Sequence, residues 1–387
     1  MSIVKMDEVC NFINGGAWSD KEYVNVGLPV LKVSNCKSKG FQLDDINYLP
    51  YSSKEKYAKN KLYLDDVIIA TVGSHPNLTE SAAGRSCVVN SFVDGYYLNQ
   101  NAVCLRTKNS KVLNQTFLGY LCKERNFQHY IQNKGRGAAN QMRIAIGGIK
   151  DYEFTLPDIV TQKKISDILS TYANLIENNQ KQIKLLEEAA QRLYKEWFVD
   201  LHFPGYEDTE IVDGVPEGWH RGLLKELITV NYGKDHKTKA PDLGNIPVYG
   251  SGGLMRKCNK SLFTGEAVLI PRKGSLNHIM YVNEAFWTVD TMFYATMKKQ
   301  HIALFVYFFI SSYDMYAMNI GSAVPSMTVK ILDCMNVLIP SDEVMERYDT
   351  FAQIYLKKVT LLKKQNNYLT ESRDRLLPKL MSGELEV

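Results

Sequence analysis

Ile165, Leu169, Tyr172, Ile176, Asn179, Ile183, Leu186, Ala190, Leu193 and Trp197 follow one another at alternating steps of four and three residues. A row with that 3.5-residue period stays on one helix face and marks a coiled-coil seam, here held for more than four heptads. Moving 183 positions along the chain gives Tyr348, Ala352, Tyr355, Val359, Leu362, Asn366, Leu369, Arg373, Leu376 and Leu380, spaced in the same way, with polar breaks at Asn366 and Arg373. Two unrelated surface helices would be the simpler reading. Both rows, however, begin just after an apolar strand stopped by proline, Phe154-Thr155-Leu156-Pro157 and Val337-Leu338-Ile339-Pro340. That shared placement points to a repeat.

Working outward from the helices, the repeat continues. Gly27-Leu28-Pro29-Val30 is echoed by Asn245-Ile246-Pro247-Val248. Asp65-Asp66-Val67-Ile68-Ile69-Ala70-Thr71-Val72-Gly73-Ser74 resembles Gly265-Glu266-Ala267-Val268-Leu269-Ile270-Pro271-Arg272-Lys273-Gly274-Ser275. In each, a polar turn feeds a β-branched run that ends at Gly-Ser, the pattern of a strand entering a tight loop. Asn133, Gly137-Ala138 and Met142 have counterparts in Asn319, Gly321-Ser322-Ala323 and Met327. Between the halves, Phe203-Pro204-Gly205-Tyr206 and Gly214-Val215-Pro216-Glu217-Gly218-Trp219 punctuate a linker. The expected fold is α+β: two pseudo-repeated globular domains, 1–157 and 215–340, each followed by a long helix, at 158–214 (with the linker) and 341–387. The two helices are expected to form an antiparallel coiled coil.

The 387 residues, 45% hydrophobic and 23% charged, suffice for more than one core. The longest fully apolar run, residues 302–310, falls well short of the ~20 residues that span a bilayer. The N-terminus lacks the build of a signal peptide. Seven cysteines without CxxC spacing suit a reducing compartment and argue against structural zinc. A cytoplasmic, membrane-free protein is expected. The net charge of +4 resolves into +5 over 1–157, −5 over 158–214, +4 over 215–340 and 0 over 341–387. A polyanion would touch the basic domains and not the helices.

Catalytic signatures are missing. No two prolines are adjacent, so the (Asn/Asp)-Pro-Pro-aromatic loop of amino-methyltransferases is absent, as are the Gly-x-Gly-x-x-Gly and Gly-Lys-(Ser/Thr) phosphate loops. Pro157-Asp158 and Pro241-Asp242 lack the following (Asp/Glu)-x-Lys of a metal-dependent nuclease. The seven histidines are dispersed, with none at ligand spacing. No catalytic residue, metal ligand or cofactor site is expected in this chain.

With this domain–helix–domain–helix order and the closing Arg375-Leu376-Leu377-Pro378-Lys379-Leu380-Met381-Ser382-Gly383-Glu384, the sequence resembles the specificity subunit of type I restriction–modification enzymes. Thr161-Gln162-Lys163-Lys164-Ile165, Leu193-Tyr194-Lys195-Glu196-Trp197-Phe198, the paired Gly-Ser loops and Asn99-Gln100-Asn101 are also similar to that family. Two departures stand out. Val289-Asp290-Thr291 replaces the second Asn-Gln-Asn, and Asp342-Glu343 stands where the first helix has Thr161-Gln162. The resemblance implies two target-recognition domains, each reading one part of a split site in double-stranded DNA, with the helices as spacer and platform. It implies two modification subunits that use S-adenosylmethionine to methylate a flipped-out adenine, and restriction subunits that use ATP and Mg²⁺ to cut unmethylated DNA.

Residues suited to base edges or phosphates cluster in the loops of each half. The candidates in the first are Ser74, His75, Asn99, Asn101, Lys134, Arg136, Asn140, Gln141 and Arg143. In the second they are Arg256, Lys257, Arg272, Lys273, Ser275, Asn277, His278, Ser322 and Ser326. Arg suits guanine and Asn or Gln suits adenine, although most such contacts reach phosphate. In the helix pair, an antiparallel register that faces Asn179 with Asn366 also pairs Ile165 with Leu380 and Trp197 with Tyr348. A parallel pairing would bury both amides without partners, at about 1–3 kcal/mol each. A coiled-coil scaffold whose basic domains bind protein, and an enzyme with an unfamiliar site, are the rival readings.

Overall fold

Val67-Ile68-Ile69-Ala70 is apolar on both sides of its pleat, and such a strand needs cover on both faces. The computed structural model describes residues 2–37, 40–43, 45–74, 83–137, 142–235, 237, 244–318 and 325–387. In it, Val67–Ala70 is an inner strand of an antiparallel sheet ordered Cys10–Asn14, Ala102–Thr107, Val67–Ala70, Ser86–Val88. Val67 and Ile69, with Val103 and Leu105, share a core with Phe117, Leu118 and Leu121 of the helix Gln115–Lys123. Ile68 and Cys104 belong to the core on the other face, with Leu31, Leu62, Val89 and Leu98.

The second half solves the same problem in the same way. Its six-stranded sheet runs Ile228–Tyr232, Met292–Met297, Phe263–Pro271, Met280–Thr288, Ile246–Gly250, Gly253–Cys258. Val268 and Ile270 pack with Leu304, Phe305, Phe308 and Phe309 of the helix Ala303–Ser311, so the nine-residue apolar run is a buried helix. Ala267 and Leu269 pack on the opposite face with Val248, Phe286 and Trp287. Each half is closed by an outer antiparallel pair, Ser2–Lys5 with Glu153–Leu156 and His220–Leu223 with Asn336–Ile339. The chain is mixed helix and sheet, with two repeated domains. It divides into two compact units, Met1–Glu177 with Asn366–Val387, and Asn178–Gln365.

The heptad rows are two long helices, Ile159–Phe198 and Asp342–Ser382. Asp158 caps the first: its carboxylate accepts the Val160 and Thr161 N–H groups at 3.0 Å each. These bonds hold its carboxyl below the usual carboxylate range. Gln162, fully buried, ties this helix to the first domain, donating to the Val112 and Pro157 carbonyls and accepting from the Asn114 N–H. By the heptad spacing the second-helix match of Gln162 is Met345 and not Glu343, which corrects the match of Thr161-Gln162 with Asp342-Glu343. Met345 is buried in an apolar core. Polar docking on one side and apolar docking on the other explain why the Thr161-Gln162 pattern is not repeated.

In the first unit, Ile165 and Leu169 share a core with Leu377 and Leu380. In the second, the Trp197 ring lies 5.7 Å from that of Tyr348, Lys363 pairs with Glu187 at 2.9 Å, and Asn179 Nδ2 donates to Gln365 Oε1 at 3.2 Å. Residue numbers rise along one helix as they fall along the other, so these segments are antiparallel. The second helix continues through Pro378 to Ser382, although proline removes one helical donor.

Candidate nucleic-acid interface

The Gly-Ser loops are positioned by backbone bonds that the two halves have in common. In the first half, the Thr71 N–H donates to the Asn101 carbonyl at 2.8 Å, and the Thr71 carbonyl accepts from Ile144 at 2.8 Å. Val72 and Gly73 pair with Arg143 and Met142, and Arg143 exchanges two 2.9 Å backbone bonds with Arg136. Three stretches distant in sequence therefore meet: the Gly73-Ser74 loop, the turn at 99–101, and the segment around 134–143. Ser74 and Asn99 are half-buried, while Asn101, Lys134, Arg136 and Arg143 are exposed. Asn101 has φ +73°, a left-handed conformation that asparagine tolerates better than most residues. The Lys134 ammonium lies 5.0 Å from the Tyr130 ring, just past the helix Arg125–Asn133. His75, Asn140 and Gln141 lie outside the described residues.

In the second half, the Arg272 N–H donates to the Thr291 carbonyl and the Arg272 carbonyl accepts from Met327, each at 2.9 Å. Lys273 stands opposite Ser326. Thr71 thus corresponds to Arg272, Val72 to Lys273, Asn101 to Thr291 and Arg143 to Ser326. The sequence alignment of Met142 with Met327 is corrected here, because the residue bonded as Met327 is bonded is Ile144, two positions on. Gly15 and Gly233 show why glycine recurs at one point of both halves. A Cβ on either would come within 1.9 Å of a backbone carbonyl oxygen, that of Asn99 or of Val289.

The second loop is held firmly. Asn277 Nδ2 donates to Asp314 Oδ1 at 3.0 Å, while its Oδ1 accepts from the Met315 N–H at 2.8 Å. His278 Nδ1 lies 2.9 Å from the Ser251 carbonyl, and the Tyr316 hydroxyl donates to the Gly274 carbonyl at 3.1 Å. These tethers leave Lys273 and Ser275 exposed at the loop's surface. Arg272 places its guanidinium 5.5 Å from the Tyr232 ring and donates to the Asp290 carbonyl at 3.2 Å. Arg256 and Lys257 lie on the strand Gly253–Cys258, which follows the Ser251 turn and carries the exposed Leu254 and Met255. Ser322 lies outside the described residues. Sequence reasoning missed Tyr232, Ser251 and Tyr316. Nothing in their spacing marks them, because each reaches the loop only through the fold.

Elsewhere in the second unit a polar cleft of about 470 Å³ is lined by Glu266, Asn283, Gln300, His301, Asp349, Gln353 and Lys357. There His301 Nδ1 lies 3.1 Å from Asp349 Oδ2, and Gln353 Nε2 donates to Glu266 Oε1 at 3.2 Å. Among the described residues no group of three His, Cys, Asp or Glu side chains could hold a metal ion, and no helix is long and apolar enough to cross a membrane.

Comparison with known proteins gives a consistent picture. A family profile described as the type I restriction modification DNA specificity domain matches residues 1–188 and 216–371. The chain is 23% identical over 312 residues to the type I restriction enzyme MjaIX specificity subunit of Methanocaldococcus jannaschii, covering 70% of this chain and 69% of that protein. It is 28% identical over 235 residues to the MjaVIII specificity subunit of the same organism, covering 56% and 51%. Among solved structures, the type I restriction–modification system S subunit from M. genitalium has a similar fold. The TM-score is 0.58 at 16% identity, over 98% of this chain and 96% of that one.

Proposed function

Since the chain belongs to the type I restriction modification DNA specificity domain family, we infer that it is a specificity subunit that recognises DNA, and we propose that residues 1–157 and 215–340 each read one part of a split site. The observation that carries this is the loop assembly built twice. Equivalent backbone bonds, linking Thr71 to Asn101 and Ile144 in one half and Arg272 to Thr291 and Met327 in the other, set a Gly-Ser loop beside basic residues. These are Arg143 on the facing strand of the first half, where Arg136 is bonded to Arg143, and Arg272 and Lys273 on the loop strand of the second. Ser74, Asn99, Asn101, Lys134, Arg256, Lys257, Ser275 and Ser326 complete the candidate surface, with His75, Asn140, Gln141 and Ser322 as the candidates outside the described residues. The long helices would form an antiparallel coiled coil that spaces the readers. The opposed contacts of Trp197 with Tyr348 and of Glu187 with Lys363 support that.

Two weak half-site contacts on one spacer become one tight contact through effective concentration, provided the gap matches. In the complete enzyme, which we place in the cytoplasm, two modification subunits would bring S-adenosylmethionine, and restriction subunits would bring ATP and Mg²⁺. This chain would supply recognition and no catalysis. The purified chain is expected to bind duplex DNA with an affinity that falls steeply with salt, as counterions are released from phosphates. It is expected to transfer no methyl group from S-adenosylmethionine. Salt-insensitive binding would favour a protein scaffold, and methyl transfer by the chain alone would overturn the assignment.

A further inference from the structure

The two readers differ most in one connection. Between Leu31 and Val67 the first half carries 35 residues, 32–66; between the counterparts Tyr249 and Val268 the second carries 18, 250–267. Leu31 and Tyr249 correspond because each carbonyl accepts a 3.0 Å bond, from Asn99 and Val289 respectively. The longer connection ends in two single helical turns, Tyr51–Ser53 and Ala58–Asn60. Tyr57 anchors them, buried with its ring 4.9 Å from that of Trp18, and Ser53 and Asn60 are buried as well. Their other side faces outward, with Lys54, Lys56 and Lys59 exposed and Tyr51 66% exposed.

Lys56 is engaged by Glu22 at 3.0 Å and by the Tyr57 ring. Among the described residues, no carboxylate, carbonyl or ring engages the ammonium group of Lys54 or Lys59. The location is a second, independent observation. Asn60 Nδ2 donates to the Asn14 carbonyl at 2.8 Å, and Gly16, two residues on, is bridged to Asn99. The lysine-bearing turns are thus tied, through the buried Asn60, to the segment that bridges to Asn99 of the candidate interface.

We propose that Lys54 and Lys59 bind DNA phosphates beside the first half-site, giving the first reader a wider backbone footprint than the second. The proposal rests on the DNA-recognition assignment above. An ammonium on a flexible stem is a point charge suited to phosphate, whereas base readout favours planar, bidentate groups. An anchored turn also loses little backbone entropy when it binds.

The test uses the full chain, titrated with a duplex carrying its complete site over a range of salt concentrations. In the Lys54→Ala/Lys59→Ala variant the slope of log K against log salt is expected to shrink by about 1.8, at ~0.9 per lost phosphate contact. The preferred sequence should stay the same, and Lys54→Arg/Lys59→Arg should restore the slope. An unchanged slope overturns the proposal, and so does a changed base preference, which would make these lysines base readers. Failure to assemble with modification subunits while the slope is intact assigns the turns to a protein contact and overturns it too. If the unmodified chain binds DNA without salt dependence, the DNA-recognition assignment fails and takes this proposal with it.

Discussion

Asn277 shows what a residue type can and cannot tell. Its amide suits adenine, which made it a candidate reader from the sequence, yet both its ends are bonded inside the protein, to Asp314 and Met315. Its role follows from those bonds: it ties the loop that carries Lys273 and Ser275 to the turn at 314–316. Asn277→Ala would leave the Met315 N–H without its acceptor, at a cost of about 1–3 kcal/mol if that group stays dry. The expected outcome is a lower melting temperature and weaker DNA binding with an unchanged salt slope, because no phosphate contact is lost. Relaxed preference at a single base pair, with stability intact, would instead make Asn277 a direct base reader. Lys54 and Lys59 are the opposite case. Their charges were legible in the sequence, but only the fold ties the turns that carry them, through Asn60 and Asn14, to the segment that bridges to Asn99.

Among the elements, the long helices were the most legible, since a 3.5-residue period needs no tertiary information. Their docking was less so. Gln162 buries a polar side chain where Met345 buries an apolar one, and His301 with Asp349 supplies the polar link on the second helix instead. That link carries a pH signature. The hydrogen bond that the His301 Nδ1–H donates to the Asp349 carboxylate, the largest influence, holds the His301 pKa above its ordinary value, and Asp349, Glu346 and Glu266 add to it by their charge. A group whose folded pKa is raised contributes stability that is fully present below its unfolded value, near 6.5, and lost as pH rises through the folded pKa. The His301 side chain is 46% exposed, so solvent screening keeps the effect small. The melting-temperature gap between the natural chain and Asp349→Asn should therefore be widest near pH 5.5 and shrink by pH 8. A gap that grows with pH would show that the pair does not work in this way.

At the scale of the whole molecule, the duplicated plan was legible because both copies kept the same strand, loop and proline punctuation. Register inside the copies was less secure. Hydrogen bonds, which no residue spacing encodes, match Met327 to Ile144 rather than to Met142. The candidate surface was legible only as loops rich in suitable residue types, since which side chains stay unbonded depends on partners such as Ser251 and Tyr316. The central claim is that each globular half reads its own part of a split DNA sequence. Its most direct test is to map methylated adenines in the genome of a host whose only specificity subunit is this chain, before and after residues 215–340 are replaced by those of a relative. The account predicts a two-part motif in which one half changes while the other half and the spacing stay the same. A motif in which both halves change, or in which only the spacing changes, would contradict it.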